Sequence, residues 1–384
     1  MTEDETYRGF ELGPIRPPSE AESLMLRVTR NCPWNNCTFC GLYKGKKFSV
    51  RPVEHVIKDI DAIRYYFDEI NKIISKPTGG DRQELIHLTA GKPDYERLAF
   101  QVALSWMRSG MQSVFLQDAN TLILKPDDLI HILSYLKELF PQIERITSYA
   151  RSKTVAGISD LDLKRIAEAG LNRIHIGLES ASDEVLKFVK KGVDKKTHIT
   201  AGQKVKRAGI ELSEYFMPGL GGEKYSKENA LETADAVNQI NPDFIRIRTL
   251  AIPEHIELYK DYQSGAFKKT GDVQVAEELL LFLDNLDGVT STVKSDHILN
   301  LFQEVEGTLP GDKDAMTAPV RQFLTMNTEN QILYMVGRRS GSFTQLEDMQ
   351  NSTLLQHVET SCRNNKINLD NVDAFTAEMM KRFI

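Results

Sequence analysis

Six short apolar or β-branched runs alternate with amphipathic stretches along this chain, and that alternation restricts it to an α/β fold with a parallel sheet. The runs are Leu24–Val28, Ser113–Gln117, Arg145–Tyr149, Arg173–Leu178, Ile210–Met217 and Phe244–Leu250. Between them the spacing predicts helices over Val53–Ile74, Pro126–Phe140, Ser159–Ala169, Lys195–Ala208, Ser226–Ile240 and Val275–Leu286. Pro126 with Asp127 and Asp128 suits a helix start, and Gly170 and Gly209 suit helix stops. The near-constant rhythm favours a partial (β/α)6 barrel over a doubly wound sheet, with a site at the C-terminal ends of the strands. Residues 75–112 break the rhythm as an insertion, with a linker over Ser75–Asp81 and a helix over Tyr95–Arg108. From residue 288 onward the alternation is lost, which predicts a mainly helical C-terminal cap with a short strand at Val289–Val293. The expected organisation is an N-terminal extension over 1–20, a barrel over 21–287 and the cap over 288–384.

With 384 residues, 41% of them apolar and 27% charged, the chain reads as an ordinary soluble globular protein. Its net charge of −6 argues against a dominant nucleic-acid surface, which needs a basic patch. The acidic start, Met1–Thr6, lacks the apolar core of a signal peptide, and no run approaches membrane-spanning length. Of the four cysteines, three are clustered and Cys362 stands alone, which suits a reducing compartment and a metal site better than a disulfide framework. The expected location is the cytoplasm.

Cys32, Cys37 and Cys40 fall within nine residues, directly after the first strand run. Three soft thiolates in one loop suit a thiophilic metal or an iron–sulfur cluster. A [4Fe–4S] cluster normally takes four cysteines, so three leave one iron open to another ligand. Structural zinc would need a second ligand pair, for which the nearest histidines are His55 and His87. An electron-transfer cluster would need distant Cys362 as its fourth ligand.

A strand, a three-cysteine loop and six βα units together resemble the radical S-adenosylmethionine (radical SAM) superfamily, over about residues 20–300. Four residues rather than the usual three separate Cys32 from Cys37, giving a CX4CX2C variant; Cys37-Thr38-Phe39-Cys40 keeps the family form, with Phe39 before the last cysteine. The resemblance implies that Cys32, Cys37 and Cys40 hold a [4Fe–4S] cluster whose open iron is chelated by S-adenosylmethionine. Reductive cleavage would then yield a 5′-deoxyadenosyl radical that abstracts hydrogen from a substrate. Ile174–Ser180 and the continuation to Gly192 are similar to the subgroup that includes oxygen-independent coproporphyrinogen oxidase and the Elongator catalytic subunit.

The resemblance also assigns roles. Glu179 would accept hydrogen bonds from the ribose hydroxyls and Lys191 would pair with the methionine carboxylate. Gln117, Asp118 and Asn120 stand where relatives carry a Gly-Gly-Glu segment, and would offer oxygens to the methionine ammonium. Relatives commonly carry a glutamate where Tyr149 falls and an arginine at Arg151, so Ser148 and Tyr149 stand as substitutes. Tyr215 leads into a glycine-rich turn, Met217–Gly222, fit for close approach to a ligand or simply a tight turn. Arg246 and Arg248 share a strand face, where one arginine near the top is fit for a carboxylate or polar substrate, or for a salt bridge to an acid such as Glu179 or Glu211; Arg248, like Phe39 and Tyr215, is expected among the cofactor contacts. Tyr43 is read as backing the adenine or as packing, His175 as pointing to the helix side, and 295–300 as a source of substrate contacts. The implied function is radical chemistry on a small polar metabolite, of lyase or rearrangement type, such as a nucleobase-like substrate of the queuine kind. Porphyrin or tRNA chemistry and a non-catalytic zinc or iron–sulfur protein are the alternatives. An external one-electron reductant, of flavodoxin or ferredoxin type, is the expected partner.

Overall fold

The computed structural model describes residues 6–76 and 82–383. The linker expected over 75–81 therefore lies, from Pro77 onward, outside the described residues, as do the first five residues of the extension. No described helix is long and apolar enough to cross a membrane. The chain divides into two compact units. One comprises residues up to Pro33, Leu42–His175 and Arg207–Glu211; the other comprises Trp34–Gly41, Ile176–Lys206 and Leu212 onward.

In the first unit, strands β1 (Leu24–Arg27), β2 (Ser113–Gln117) and β3 (Arg145–Ala150) are parallel neighbours in that order. Leu24 is in register with Val114, and Val114 with Ile146. Every residue of β2 is buried, as expected of a central parallel strand covered on both faces. Helix α1 (Val53–Ile74) buries Val56, Ile60 and Ile63, the stripe expected from its spacing. The insertion contributes helix α2 (Asp94–Arg108), whose Trp106 is buried and donates its ring N–H to the Ser113 carbonyl. Helix α3 (Pro126–Leu139) carries proline in its first turn. Helix α4 (Asp160–Glu168) is capped by Ser159, whose hydroxyl accepts from the Asp162 N–H. Strand β4 (Arg173–Glu179) gives its first three residues to this unit and the rest to the second.

The second unit continues with helices α5 (Asp183–Phe188) and α6 (Lys195–Arg207), strand β5 (Glu211–Phe216), helix α7 (Gly222–Ile240), strand β6 (Phe244–Ile247), helix α8 (Asp272–Asp284) and strand β7 (Thr292–Lys294). Here β5, β6 and β7 are parallel in that order, with Phe244 in register with both Ser213 and Thr292. The two-residue strand β8 (Gly307–Thr308) adds an antiparallel edge. Helices α9 (Lys313–Thr325), α10 (Thr328–Ser340), α11 (Ser352–Asn364) and α12 (Val372–Met380) complete the chain, so the region expected to be mainly helical is so. The core of this unit joins Phe216, Ile245 and Phe282 to Phe302, Phe323 and Tyr334. The fold is α/β with parallel strands, as the alternation requires.

Helix α8 begins at Asp272 rather than Val275, and the short strand expected over Val289–Val293 is β7, at Thr292–Lys294. Two further differences have local reasons. Helix α7 begins at Gly222 rather than Ser226, across a non-helical Tyr225 that kinks its first turn. Strand β6 ends at Ile247, three residues early, because Thr249 is held by Asn300, whose side-chain oxygen accepts from both its N–H and its hydroxyl.

Candidate active site

In the first unit, the strand ends organise the entry to the cysteine loop. Asp118, fully buried after β2, accepts from Arg27 through Nε at 2.9 Å and Nη2 at 2.7 Å, from the Asn31 backbone N–H at 3.1 Å, and from the Tyr43 hydroxyl at 3.0 Å. Asn31 immediately precedes Cys32, and Tyr43 lies three residues past Cys40. One carboxylate therefore ties both flanks of the loop to the first two strands. Burial, then the Asp118 charge, pushes the Tyr43 hydroxyl's pKa upward, so it stays a donor.

Gln117 and Asn120, expected with Asp118 as ammonium ligands, are likewise bonded within the protein. The Gln117 side chain accepts from the Gly13 N–H at 2.8 Å and donates to the Ile15 carbonyl. Asn120 accepts from the Arg151 N–H and donates to the Thr154 hydroxyl, both at 2.9 Å. All three side chains are engaged by the protein's own donors and acceptors. Ser148 is buried and donates to the Tyr149 carbonyl. Tyr149 lies edge-on to Phe115, and its ring centroid is 5.5 Å from that of His175. His175 does not point to the helix side. Its Nε2 sits 3.7 Å from Glu20 Oε1, and Glu20 also accepts from Ser23. Burial opposes ionisation of Glu20, but His175, Ser23 and Arg145 outweigh it and hold its pKa below the ordinary carboxylate value.

In the second unit, the remainder of the loop, with Cys37 and Cys40, docks on the turn that follows α5. The Thr38 N–H donates to the Val189 carbonyl at 3.0 Å, and the Thr38 carbonyl accepts from the Leu258 N–H at 2.9 Å. Trp34 donates its ring N–H to the Lys190 carbonyl at 2.7 Å. Its ring packs so closely on Gly192 that a Cβ there would lie 2.3 Å from a ring carbon, and Gly192 has φ +72°. Phe39 packs against an apolar cluster that includes Val189, Leu220 and Leu258. The Lys191 ammonium lies 5.5 Å from the Phe39 ring centroid and 3.4 Å from Glu179 Oε1. Glu179 ends β4 in the left-handed region, at φ +66°. The structure thus brings Phe39, Glu179 and Lys191 together beside two of the cysteines.

Glu214 on β5 is fully buried, and neither carboxyl oxygen has a hydrogen-bond partner. Burial and then the Glu179 charge raise its pKa well above the ordinary value, with Lys191 opposing. Arg248 lies over the Tyr215 ring, 5.1 Å from its centroid, and pairs with Asp296 rather than with Glu179 or Glu211. Glu211 pairs instead with Arg173 at 2.6 Å. None of the four cysteines forms a disulfide.

The glycine-rich turn after β5 is locked by Glu278 of α8. Its carboxylate accepts from the Gly219 N–H at 3.0 Å, Asn229 at 2.6 Å and Ser226 at 2.5 Å. Burial pushes its pKa up to about 7, against those three hydrogen bonds. The raised value means that stability is full below the ordinary 4.5 and declines as pH rises towards 7. We expect wild type to lose about 3 kcal/mol across that window from this group, and Glu278→Gln to flatten the decline in denaturation measured against pH.

Sequence reasoning missed Trp34, Glu278 and the role of Asp118. Trp34 sits within the longer spacing between Cys32 and Cys37, and that irregularity was the one available signal. Gly192→Ala is expected to cost on the order of 1–3 kcal/mol, since it adds both a clash and a strained φ. Trp34→Phe, which keeps the ring and loses one hydrogen bond, is expected to cost about 1 kcal/mol. Chemical denaturation of the two variants distinguishes these outcomes.

The Radical SAM superfamily model matches residues 26–234, more than half of the chain. A tRNA uridine(34) acetyltransferase of Methanocaldococcus infernus is 27% identical over 120 residues, covering 31% of this chain and 22% of that protein. An uncharacterized methyltransferase of Pyrococcus horikoshii is 23% identical over 232 residues, covering 60% of this chain and 39% of the relative. Among solved structures, coproporphyrinogen III oxidase from Escherichia coli aligns with a TM-score of 0.45 and 15% identity, over 69% of this chain and 52% of that one. The chain spans only about a fifth to two fifths of the length of these two curated relatives.

Proposed function

Because the chain belongs to the radical SAM superfamily, whose enzymes bind a [4Fe–4S] cluster and S-adenosylmethionine, we propose that it performs radical chemistry on a small polar metabolite, of lyase or rearrangement type. The residues present fit both groups. Three thiols in one loop are a donor set for a cluster. At Gly177 a Cβ would fall 2.4 Å from Glu179 Oε1 and 3.2 Å from Lys191 Nζ, so the glycine leaves room for these two side chains where they stand.

When bound, the two groups supply reductive cleavage of a carbon–sulfur bond and a 5′-deoxyadenosyl radical. The protein's share is binding and orientation. Cys32, Cys37 and Cys40 hold the cluster as thiolates. Lys191, fixed against Phe39, offers a cation for the methionine carboxylate, and Glu179 offers acceptor oxygens for the ribose hydroxyls. Ser148, Tyr149, Arg151 and Tyr215 are assigned further contacts with the cofactor. Asp118, Gln117 and Asn120 are assigned to positioning, since their polar atoms hold the surrounding loops. A reducing, cytoplasmic setting and an external one-electron reductant complete the proposal.

The observation that carries this reading is the docking of the cysteine loop, through Trp34 and Thr38, onto the turn bearing Lys191. It is tested by anaerobic reconstitution with iron and sulfide. The expected product binds on the order of four irons and four sulfides per chain, and its reduced electron paramagnetic resonance spectrum shifts on adding S-adenosylmethionine. Iron bound without sulfide contradicts it.

A further inference from the structure

Strand β6 presents Arg246 and Arg248 on one face, and both guanidiniums turn to a single carboxylate. Arg246 Nη1 lies 2.8 Å from Asp296 Oδ2, and Arg248 Nη1 lies 2.9 Å from Asp296 Oδ1. Arg246 is also held by the Ser213 hydroxyl, 3.2 Å from its Nε. Arg248 lies over Tyr215, and its Nη1 donates to the Ile247 carbonyl. The two side chains are only 6% and 13% exposed. Two cations against one anion leave one positive charge in a largely desolvated place, an arrangement that is costly unless something completes it. Burial opposes ionisation of Asp296, but Arg248 and then Arg246 hold its pKa below the ordinary value, so it remains an anion. His297 adds no charge, because burial and the nearby Arg248 push its pKa down to about 4.

We propose that Arg246 and Arg248, braced by Asp296, form the anchor for the substrate and take its carboxylate group. Each guanidinium has five N–H donors in a planar fork, and only one edge of each is spent on Asp296. A carboxylate brings the charge of the cluster to neutral, whereas a phosphate dianion beside Asp296 would overshoot it. Position supports the role. The Met217 N–H donates to the Glu179 carbonyl and the Arg248 N–H to the Phe216 carbonyl, so Glu179 and Arg248 cap the ends of β4 and β6, on either side of β5. Two strand spacings separate them, about 10 Å, a distance that a small molecule spans between its anchor and the cofactor. This inference rests on the proposed function and specifies its substrate class.

The test uses reconstituted holoprotein with S-adenosylmethionine and a paired panel. Benzoate, nicotinate, 3-phenylpropionate and the L-amino acids are each set beside the corresponding primary amide. Melting shift and the rate of 5′-deoxyadenosine release are read for each pair. At least one acid is expected to be preferred over its amide by about tenfold or more. Arg246→Met and Arg248→Met should each collapse that ratio, and Arg248→Lys, which keeps charge but not the fork, should restore it only in part. Wild type that never distinguishes acid from amide overturns the proposal, as does a ratio that survives in both methionine variants. A loss of S-adenosylmethionine affinity in Arg248→Met with selectivity intact also overturns it and moves the arginine to the cofactor. Absence of 5′-deoxyadenosine with acid selectivity intact instead defeats the proposed function and leaves the anchor standing.

Discussion

Serine in place of Cys32, Cys37 or Cys40 is expected to yield a folded protein that no longer retains iron and sulfide and makes no detectable 5′-deoxyadenosine. A thiolate is a soft, anionic ligand, while a serine hydroxyl stays protonated and hard at neutral pH. Three cysteines leave no spare ligand, so each loss is complete rather than graded. The fold should survive, because all three are only partly buried and the loop is held by backbone and side-chain bonds of its neighbours Asn31, Trp34 and Thr38. Cys362 provides the control. It is buried in α11, burial raises the pKa of its thiol, and it lies beyond the matched family region. Cys362→Ala should keep full iron content with a modest loss of stability. Iron and sulfide assays on the four variants, beside their melting temperatures, check this. Retained cluster in a loop variant would contradict the assignment.

Asp118→Ala is expected to be the most damaging substitution outside the cysteines. It removes the acceptor for four hydrogen bonds at once, two of them from Arg27. The Arg27 guanidinium would keep only its longer contacts to Glu11 and the Leu12 carbonyl, and the Tyr43 hydroxyl and the Asn31 N–H would lose this acceptor. Breaking a buried, paired charge on one side typically costs about 3–5 kcal/mol. Because Asn31 and Tyr43 flank the cysteines, iron content should fall as well, even at temperatures where the rest of the protein is folded. Asp118→Asn keeps one acceptor oxygen but turns an amino group towards either Tyr43 or the Arg27 side, so a loss of about 1–3 kcal/mol is expected. Urea denaturation and iron content of both variants measure the effect. Unchanged stability in Asp118→Ala would show that the carboxylate does not hold the loop.

These two cases also mark what the sequence made legible. The strands and most helices followed from periodicity, because burial on one face imposes it directly; Val53–Ile74 and Ser113–Gln117 have the bounds that the pattern predicts. The shared face of Arg246 and Arg248 was legible for the same reason. Their partner was not, since Asp296 lies 48 and 50 residues away and pattern carries no distance information. Asp118 was read as a ligand for an ammonium group because a carboxylate accepts from any donor. Which donors surround it is a tertiary fact, fixed here by Arg27, 91 residues earlier. The reading of His175 failed against plain alternation: with Gly177 and Glu179 two and four residues on, it shares their strand face. Trp34 and Lys190, 156 residues apart, meet only because the loop docks where it does.

The central claim is that the cysteine loop generates a radical from S-adenosylmethionine. Its most direct measurement is anaerobic incubation of the reconstituted protein with S-adenosylmethionine and dithionite, followed by quantitation of 5′-deoxyadenosine. Wild type is expected to release it even without substrate, in uncoupled turnover, and the Cys37→Ser variant to release none. Absence of 5′-deoxyadenosine from wild type carrying a full, reducible cluster would contradict the claim.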